Sequence, residues 1–239
     1  MLLEELSNAP GVSGNEKPVR EIILREIKDH VDETRVDALG NLIAVKRAVK
    51  NQDSKPRVMI AAHTDEIGVM IVHIESSGFL RFRTVGGIDQ RVLLSKALLI
   101  GDKQVPGVIG QKAVHLLKEK ERKQVVAVEQ MFIDIGATDK ADAEGVVKVG
   151  DYGVFATRFA ALGPTVKGKA LDDRAGCAIL VELLKGGPYP CDLHAVFTVQ
   201  EEVGLRGARV AAYAVEPDMA FVLEGTVCDD SPKKKDVSP

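Results

Sequence analysis

The chain has 239 residues, of which 45% are hydrophobic, enough to bury the core of one or two domains. Its 32 basic and 35 acidic side chains leave a formal charge of -3, so it lacks the basic excess of a nucleic-acid surface. No tryptophan and only 4% aromatics argue against a stacking platform for bases or sugars. Cys177, Cys191 and Cys228 are odd in number and widely spaced, which fits a reducing compartment better than a disulfide framework. Met1 to Pro10 carries Glu4 and Glu5 rather than a signal peptide, and no apolar run reaches the roughly 18 residues of a membrane span. The expectation is a soluble cytoplasmic protein with no membrane or nucleic-acid partner.

In chain order, Ser13 followed by Glu16 reads as a capping box, and Val19, Ile22, Ile23 and Ile27 recur behind it at helical spacing. Thr34 to Asp37 and Asn41 to Lys46 read as a hairpin around Gly40. Arg57 to Ala62 is a short apolar strand running into His63-Thr64-Asp65-Glu66. After Gly68 the texture becomes β-rich: Val69 to Ile74, Phe79 to Arg83, Ala97 to Ile100, Val105 to Ile109 and Met131 to Ile135 are separated by Gly, Ser and Asp turns. Within that stretch only Asp139 to Gly145 looks helical, with Thr138 as a cap. Helical texture returns at Ala175 to Leu184. A strand (Leu193 to Val199), a helix (Arg206 to Tyr213) and another strand (Met219 to Leu223) follow. The tail from Asp229, with Lys233-Lys234-Lys235, reads as exposed. The pattern predicts an α/β sheet domain, residues 1–68 and 156–239, interrupted by a small β-barrel-like domain, residues 69–155.

Four polar clusters follow predicted strands or precede a helix, where open α/β sheets place their sites. His63 and Asp65 sit two apart, a spacing that lets a carboxylate hold the far nitrogen of a metal-binding imidazole; a surface turn is an equal reading. Asp172 and Asp173 are either helix caps or a cation-bridging carboxylate with an orienting neighbour, and alone the caps are the better reading. Glu201 and Glu202 follow a buried strand, where paired acids suit one metal ligand and one general base, or a solvated turn. Glu224 ends the last strand and says little by itself. Together, an imidazole and several carboxylates suit zinc, cobalt or manganese better than a thiolate-rich structural zinc site. His30, His73, His115 and His194 read as solvated or structural, and Cys177 as packing.

The blocks Ala61 to Gly68, Lys169 to Gly176 and Gln200 to Ala208, with Phe132 to Ala137 in the insert, resemble the signatures of metallopeptidase family 42. These are glutamyl and deblocking aminopeptidases that form tetrahedral dodecamers. The resemblance implies a two-metal aminopeptidase-type α/β/α sheet domain whose inserted β domain makes dimers that assemble further. By the same resemblance, His63 and Glu224 bind one divalent metal, Asp172 bridges two, Glu202 binds the second, Asp65 orients His63 and Glu201 is the general base. Peptides are the implied substrates. The family's remaining ligand is a histidine well beyond the position of Glu224, whereas no histidine follows His194, so the resemblance also implies a chain that stops short of it. Two other readings stand beside this one: an incomplete paralogue that only binds peptides or partners, and a two-metal hydrolase of another amide.

Overall fold

Among the described residues five strands form the main sheet. In the computed structural model, which describes residues 1–49, 55–116, 118–119, 123–226 and 228, these are β1 (Glu33–Val36), β2 (Leu42–Lys46), β3 (Arg57–His63), β12 (Asp192–Thr198) and β13 (Met219–Val222). Their order is β1-β2-β12-β3-β13. β12 runs antiparallel to β2 and parallel to β3, and β3 runs parallel to β13. Helices α1 (Leu2–Asn8), α2 (Lys17–Ile27) and α4 (Leu171–Lys185) cover one face, where Leu6, Ile23 and Leu180 pack on Leu42, Ala195 and Phe197. Helix α5 (Arg206–Val215) covers the other, setting Ala211 and Val215 against Ile43, Met59 and Val196. β2 is buried on both faces, which is why Leu42 to Val45 is a continuous apolar run without alternation. Edge strand β13 is uncovered: Met219, Phe221 and Val222 are 49%, 56% and 69% exposed.

The second body is a closed barrel of β4 (Gly68–Ile74), β5 (Leu80–Val85), β8 (Phe132–Asp134), β7 (Val105–Gly110), β6 (Ala97–Ile100) and β9 (Tyr152–Phe155), in that order. Val69, Ile71, Leu80, Leu98, Ile100 and Ile133 fill its interior, and Ala143 of the short helix α3 (Lys140–Glu144) packs against them. Inward residues alternate with outward ones along β4 and β6, as small barrels require. A small hairpin, β10 (Ala160–Leu162) with β11 (Thr165–Lys167), follows the barrel. The main sheet, its helices and the barrel bear out the expected α/β class. Among the described residues no helix is long and apolar enough to cross a membrane.

Two local expectations change, and a third lies outside the described residues. The Ser13–Glu16 capping box does not form: α2 begins at Lys17 with Glu16 in the capping position and no side-chain cap bond. Ser13 instead donates to Asp65 and Glu16 accepts the Gln200 amide, while Pro18 in the first turn has no N–H for a cap at Glu16 to accept. Asp139, not Thr138, caps α3, because its carboxylate is placed to accept the Asp142 amide. The lysine run at 233–235 lies outside the described residues.

Candidate metal centre

Three parallel strands, β3, β12 and β13, deliver the polar segments that follow them to one end of the sheet, and the start of α4 meets them there. His63, the last residue of β3, is 3% exposed and lies between two sets of carboxylates. Its Nδ1 faces Asp65 Oδ1 at 3.4 Å, while Nε2 faces Asp172 Oδ1 at 3.2 Å and Glu224 Oε1 at 3.6 Å. Asp172 can stand there because Asp173 is anchored behind it. The Asp173 carboxylate accepts the backbone N–H of Gly176 at 3.0 Å and of His63 at 3.2 Å. Regular helical dihedrals begin only after Asp173, as the expected helix start at Ala175 implied. Beyond Glu224 the chain passes close to Asp172. A Cβ on Gly225 would come within 2.9 Å of Asp172 Cγ, so glycine permits the approach.

Asp65 joins the β3 end to the turn after β12. Its Oδ1 accepts the Glu201 N–H at 2.9 Å, and its Oδ2 accepts the Glu202 N–H at 3.1 Å and the Ser13 hydroxyl at 2.6 Å. Burial works against the charged forms of both His63 and Asp65, but their mutual attraction outweighs it. The His63 pKa rises to about 9, helped by Asp173 and Glu224, and that of Asp65 falls below the ordinary carboxylate value, helped by Ser13 and the Glu201 amide. The other acids move the opposite way. Burial and neighbouring negative charge push Asp173 up to about 6, and Glu202 and Glu224 up to about 7. Such a crowd of carboxylates around one imidazole is short of positive charge.

A buried ion cluster locks the same segments together. Glu66 Oε1 accepts Lys169 Nζ at 2.7 Å, Arg174 Nη2 at 3.4 Å and the Gly11 amide at 3.0 Å. Arg174 also donates through Nε to the Thr64 carbonyl at 2.9 Å, and Lys169 Nζ donates to the Ala9 carbonyl at 2.7 Å. Arg174 is fully buried, and burial lowers the Lys169 pKa to about 8. Sequence reasoning passed over Glu66, Lys169 and Arg174 individually, although each flanks a singled-out residue. Glu66 and Lys169 also line a cavity of about 380 Å³ between sheet and barrel, together with Ile67, Phe155, Asp172 and Glu202.

Among the described residues, His63, Asp172 and Glu224 form the one group whose possible ligand atoms lie within 4.8 Å of one another. Glu202 stands outside that group, beside Asp172 in the cavity wall, and Glu201 is fixed through its backbone to Asp65. His30, His73 and His115 are exposed, and His194 is part-buried on β12. The Cys177 thiol lies behind the site, donating to the His63 carbonyl at 3.1 Å, and burial pushes its pKa up.

A sheet with helices on both faces, a barrel inserted after β3 and a carboxylate–imidazole group at the strand ends define an α/β protein with a candidate cation centre. The chain belongs to the M42 glutamyl aminopeptidase family, whose model matches residues 40–239. It is 42% identical over 233 residues to a putative aminopeptidase of Acetivibrio thermocellus, across 97% of this chain and 67% of that protein. A TET aminopeptidase from a marine-sediment Thaumarchaeota archaeon has a similar structure, with TM-score 0.90, 40% identity, and 97% of this chain and 67% of that one covered. The TET1 peptidase of Pyrococcus horikoshii, which can assemble into a tetrahedron or a large octahedral shell, gives TM-score 0.85 and 38% identity over 98% of this chain and 72% of that one. The chain therefore spans about two thirds of the length of these relatives.

Proposed function

We propose that this chain carries the cation centre of a metal-dependent aminopeptidase that removes N-terminal residues from peptides. The observation behind this reading is the meeting of His63 Nε2 with Asp172 and Glu224 at 3.2 and 3.6 Å. The donor set fits a divalent cation: one imidazole and several carboxylates, with no thiolate among them, suit zinc, cobalt or manganese. A cation would also relieve the repulsion that, with burial, holds Glu202 and Glu224 near pKa 7.

His63, Asp172 and Glu224 would hold the first ion, and Asp172 with Glu202 a second. Bound cations would supply Lewis-acid polarisation of the scissile carbonyl. The remaining chemistry belongs to the chain. Asp65 holds the Nδ1 side of His63 so that Nε2 points into the site. Glu201 takes a proton from the attacking water and returns it to the leaving amine. The neighbouring cavity of about 380 Å³ has room for a peptide's N-terminal residue. We assign residues 1–68 and 156–239 to a catalytic domain and 69–155 to an inserted dimerisation domain. We further assign the protein to a cytoplasmic homo-oligomer built from dimers towards a dodecamer.

Hydrolysis of aminoacyl p-nitroanilides by chelator-treated protein, before and after addition of Co²⁺, Zn²⁺ or Mn²⁺, tests the reading. Activity should vanish with the metal and return with it. Full activity in metal-free protein would overturn it. Metal uptake and peptide binding without turnover would favour the binding-only paralogue.

A further inference from the structure

The turn that carries Glu201 and Glu202 closes on itself through the Gly204 and Leu205 amides on the Glu201 carbonyl and the Arg206 amide on the Gln200 carbonyl, and residues outside it fix where it sits. Gln200 sits at φ 55, a left-handed conformation unusual for a residue with a side chain, so the turn needs an outside hold. One flank is fixed by Asn41, whose Oδ1 accepts the Val199 amide at 3.0 Å and whose Nδ2 donates to the Gly207 carbonyl at 3.0 Å. The other flank is fixed by the loop ahead of α2. Glu16 Oε1 accepts the Gly14 amide at 2.7 Å and the Gln200 amide at 3.2 Å. Ser13 donates to Asp65 Oδ2, the same oxygen that accepts the Glu202 amide. Ser13 and Glu16 are each 5% exposed. Their loop is itself pinned to the end of β3, where the Glu66 amide donates to the Gly11 carbonyl at 3.0 Å and Val12 bridges Glu66.

Neither side chain serves the helix it precedes. The N-terminus of α2 has no side-chain cap bond, and the helix is anchored through Val19, Ile23 and Ile27. Keeping a carboxyl buried is costly, and burial raises the pKa of Glu16. What the carboxyl provides is an oxygen for the Gln200 amide.

We propose that Ser13 and Glu16 are positioning residues, which set Glu201 and Glu202 against His63, Asp172 and Glu224 through the Gln200 amide and the Asp65 carboxylate. This role rests on reading Glu201 as the base and Glu202 as a ligand. What matters at Glu16 is an acceptor oxygen, not a charge, so glutamine should replace it and leucine should not.

The test uses the full metal-free chain and the variants Glu16→Gln, Glu16→Leu and Ser13→Ala. Amide hydrogen exchange reads the hold on the turn, and a Co²⁺ titration followed by absorption reads its consequence. In Glu16→Leu, exchange at Gln200 to Glu202 should quicken by about tenfold or more while α2 keeps its protection, and Co²⁺ affinity should fall severalfold. Glu16→Gln should match the wild type in both. Ser13→Ala should quicken exchange at Glu202, and it carries the test if Glu16→Leu does not fold. Unchanged exchange in both disruptive variants overturns the proposal. So does quickened exchange with an unaltered Co²⁺ titration, and so does a Glu16→Gln variant as impaired as Glu16→Leu. A wild-type chain that takes up no Co²⁺ sinks the metal reading instead, and exchange alone then decides whether Glu16 holds the turn.

Discussion

Replacing Glu66 with glutamine keeps the side chain's shape and one oxygen but removes the negative charge that pairs with both Lys169 and Arg174. The Lys169 and Arg174 side chains are 6% and 0% exposed, so their charges cannot turn to water. Breaking a buried pair from one side costs about 3–5 kcal/mol, because the surviving charge stays desolvated. For a chain of this size that corresponds to a fall in Tm of roughly 6–20 °C. The pH dependence sharpens the test. Burial already lowers Lys169 to about 8, and without Glu66 its folded pKa must fall further. A lysine depressed in the folded state binds fewer protons there than in the unfolded chain, so stability rises with pH across that window. The deficit of Glu66→Gln should therefore be larger at pH 6 than at pH 9, where Lys169 is neutral in both proteins. Thermal melts of the two proteins at both pH values decide the matter. A Tm within about 2 °C of wild type, or a deficit that grows with pH, would show that the cluster does not bear on stability as described.

Three further outcomes follow from the site. Glu201→Gln should cut turnover of an aminoacyl p-nitroanilide by roughly 10²–10⁴-fold with metal content unchanged, whereas Glu202→Gln should lower metal content; the reverse pattern would swap their roles. Between about pH 5 and pH 8, below the window in which Lys169 acts the other way, the metal-free chain should melt at progressively lower temperature as pH rises, because the folded state keeps protons on Asp173 up to about 6, on Glu202 and Glu224 up to about 7 and on His63 up to about 9, all above their unfolded values. Added Co²⁺ should then raise Tm more at pH 8.5 than at pH 6, and a flat profile would contradict the charge balance drawn here. Gly207→Ala should cost about 1–3 kcal/mol, since its Cβ would meet the Val199 carbonyl oxygen and Asn41 Oδ1, each at 2.3 Å; an unchanged Tm would mean the turn has room to shift.

The residues gathered at the sheet end were legible because chemistry and position coincide there: His63, Glu201 and Glu224 each follow an apolar run, and at Glu201 an acid after the buried strand β12 requires a reason. The barrel was partly legible. Its alternating strands show in the sequence, but β9 does not, because four residues after a Gly-Asp turn carry little pattern of their own and are fixed by pairing with β4 and β6. The β10–β11 hairpin was missed for the same reason. Ser13 and Glu16 were visible as a motif but assigned to the wrong partner. Local spacing favours a helix cap, and only the fold brings Asp65 and Gln200 within reach, 52 and 184 residues away. Glu66, Lys169 and Arg174 look like surface charges until the chain path buries all three together.

If His63, Asp172 and Glu224 hold a divalent cation, the number of ions retained per chain reads it out. Chelator-treated protein, His63→Ala and Asp172→Asn should each be titrated with Co²⁺ and the retained metal measured by elemental analysis. The wild-type chain should retain one ion tightly and a second weakly, because Glu202 stands outside the group, and both variants should lose the tight ion. A wild-type chain that retains no metal, or variants that retain as much as the wild type, would contradict this assignment.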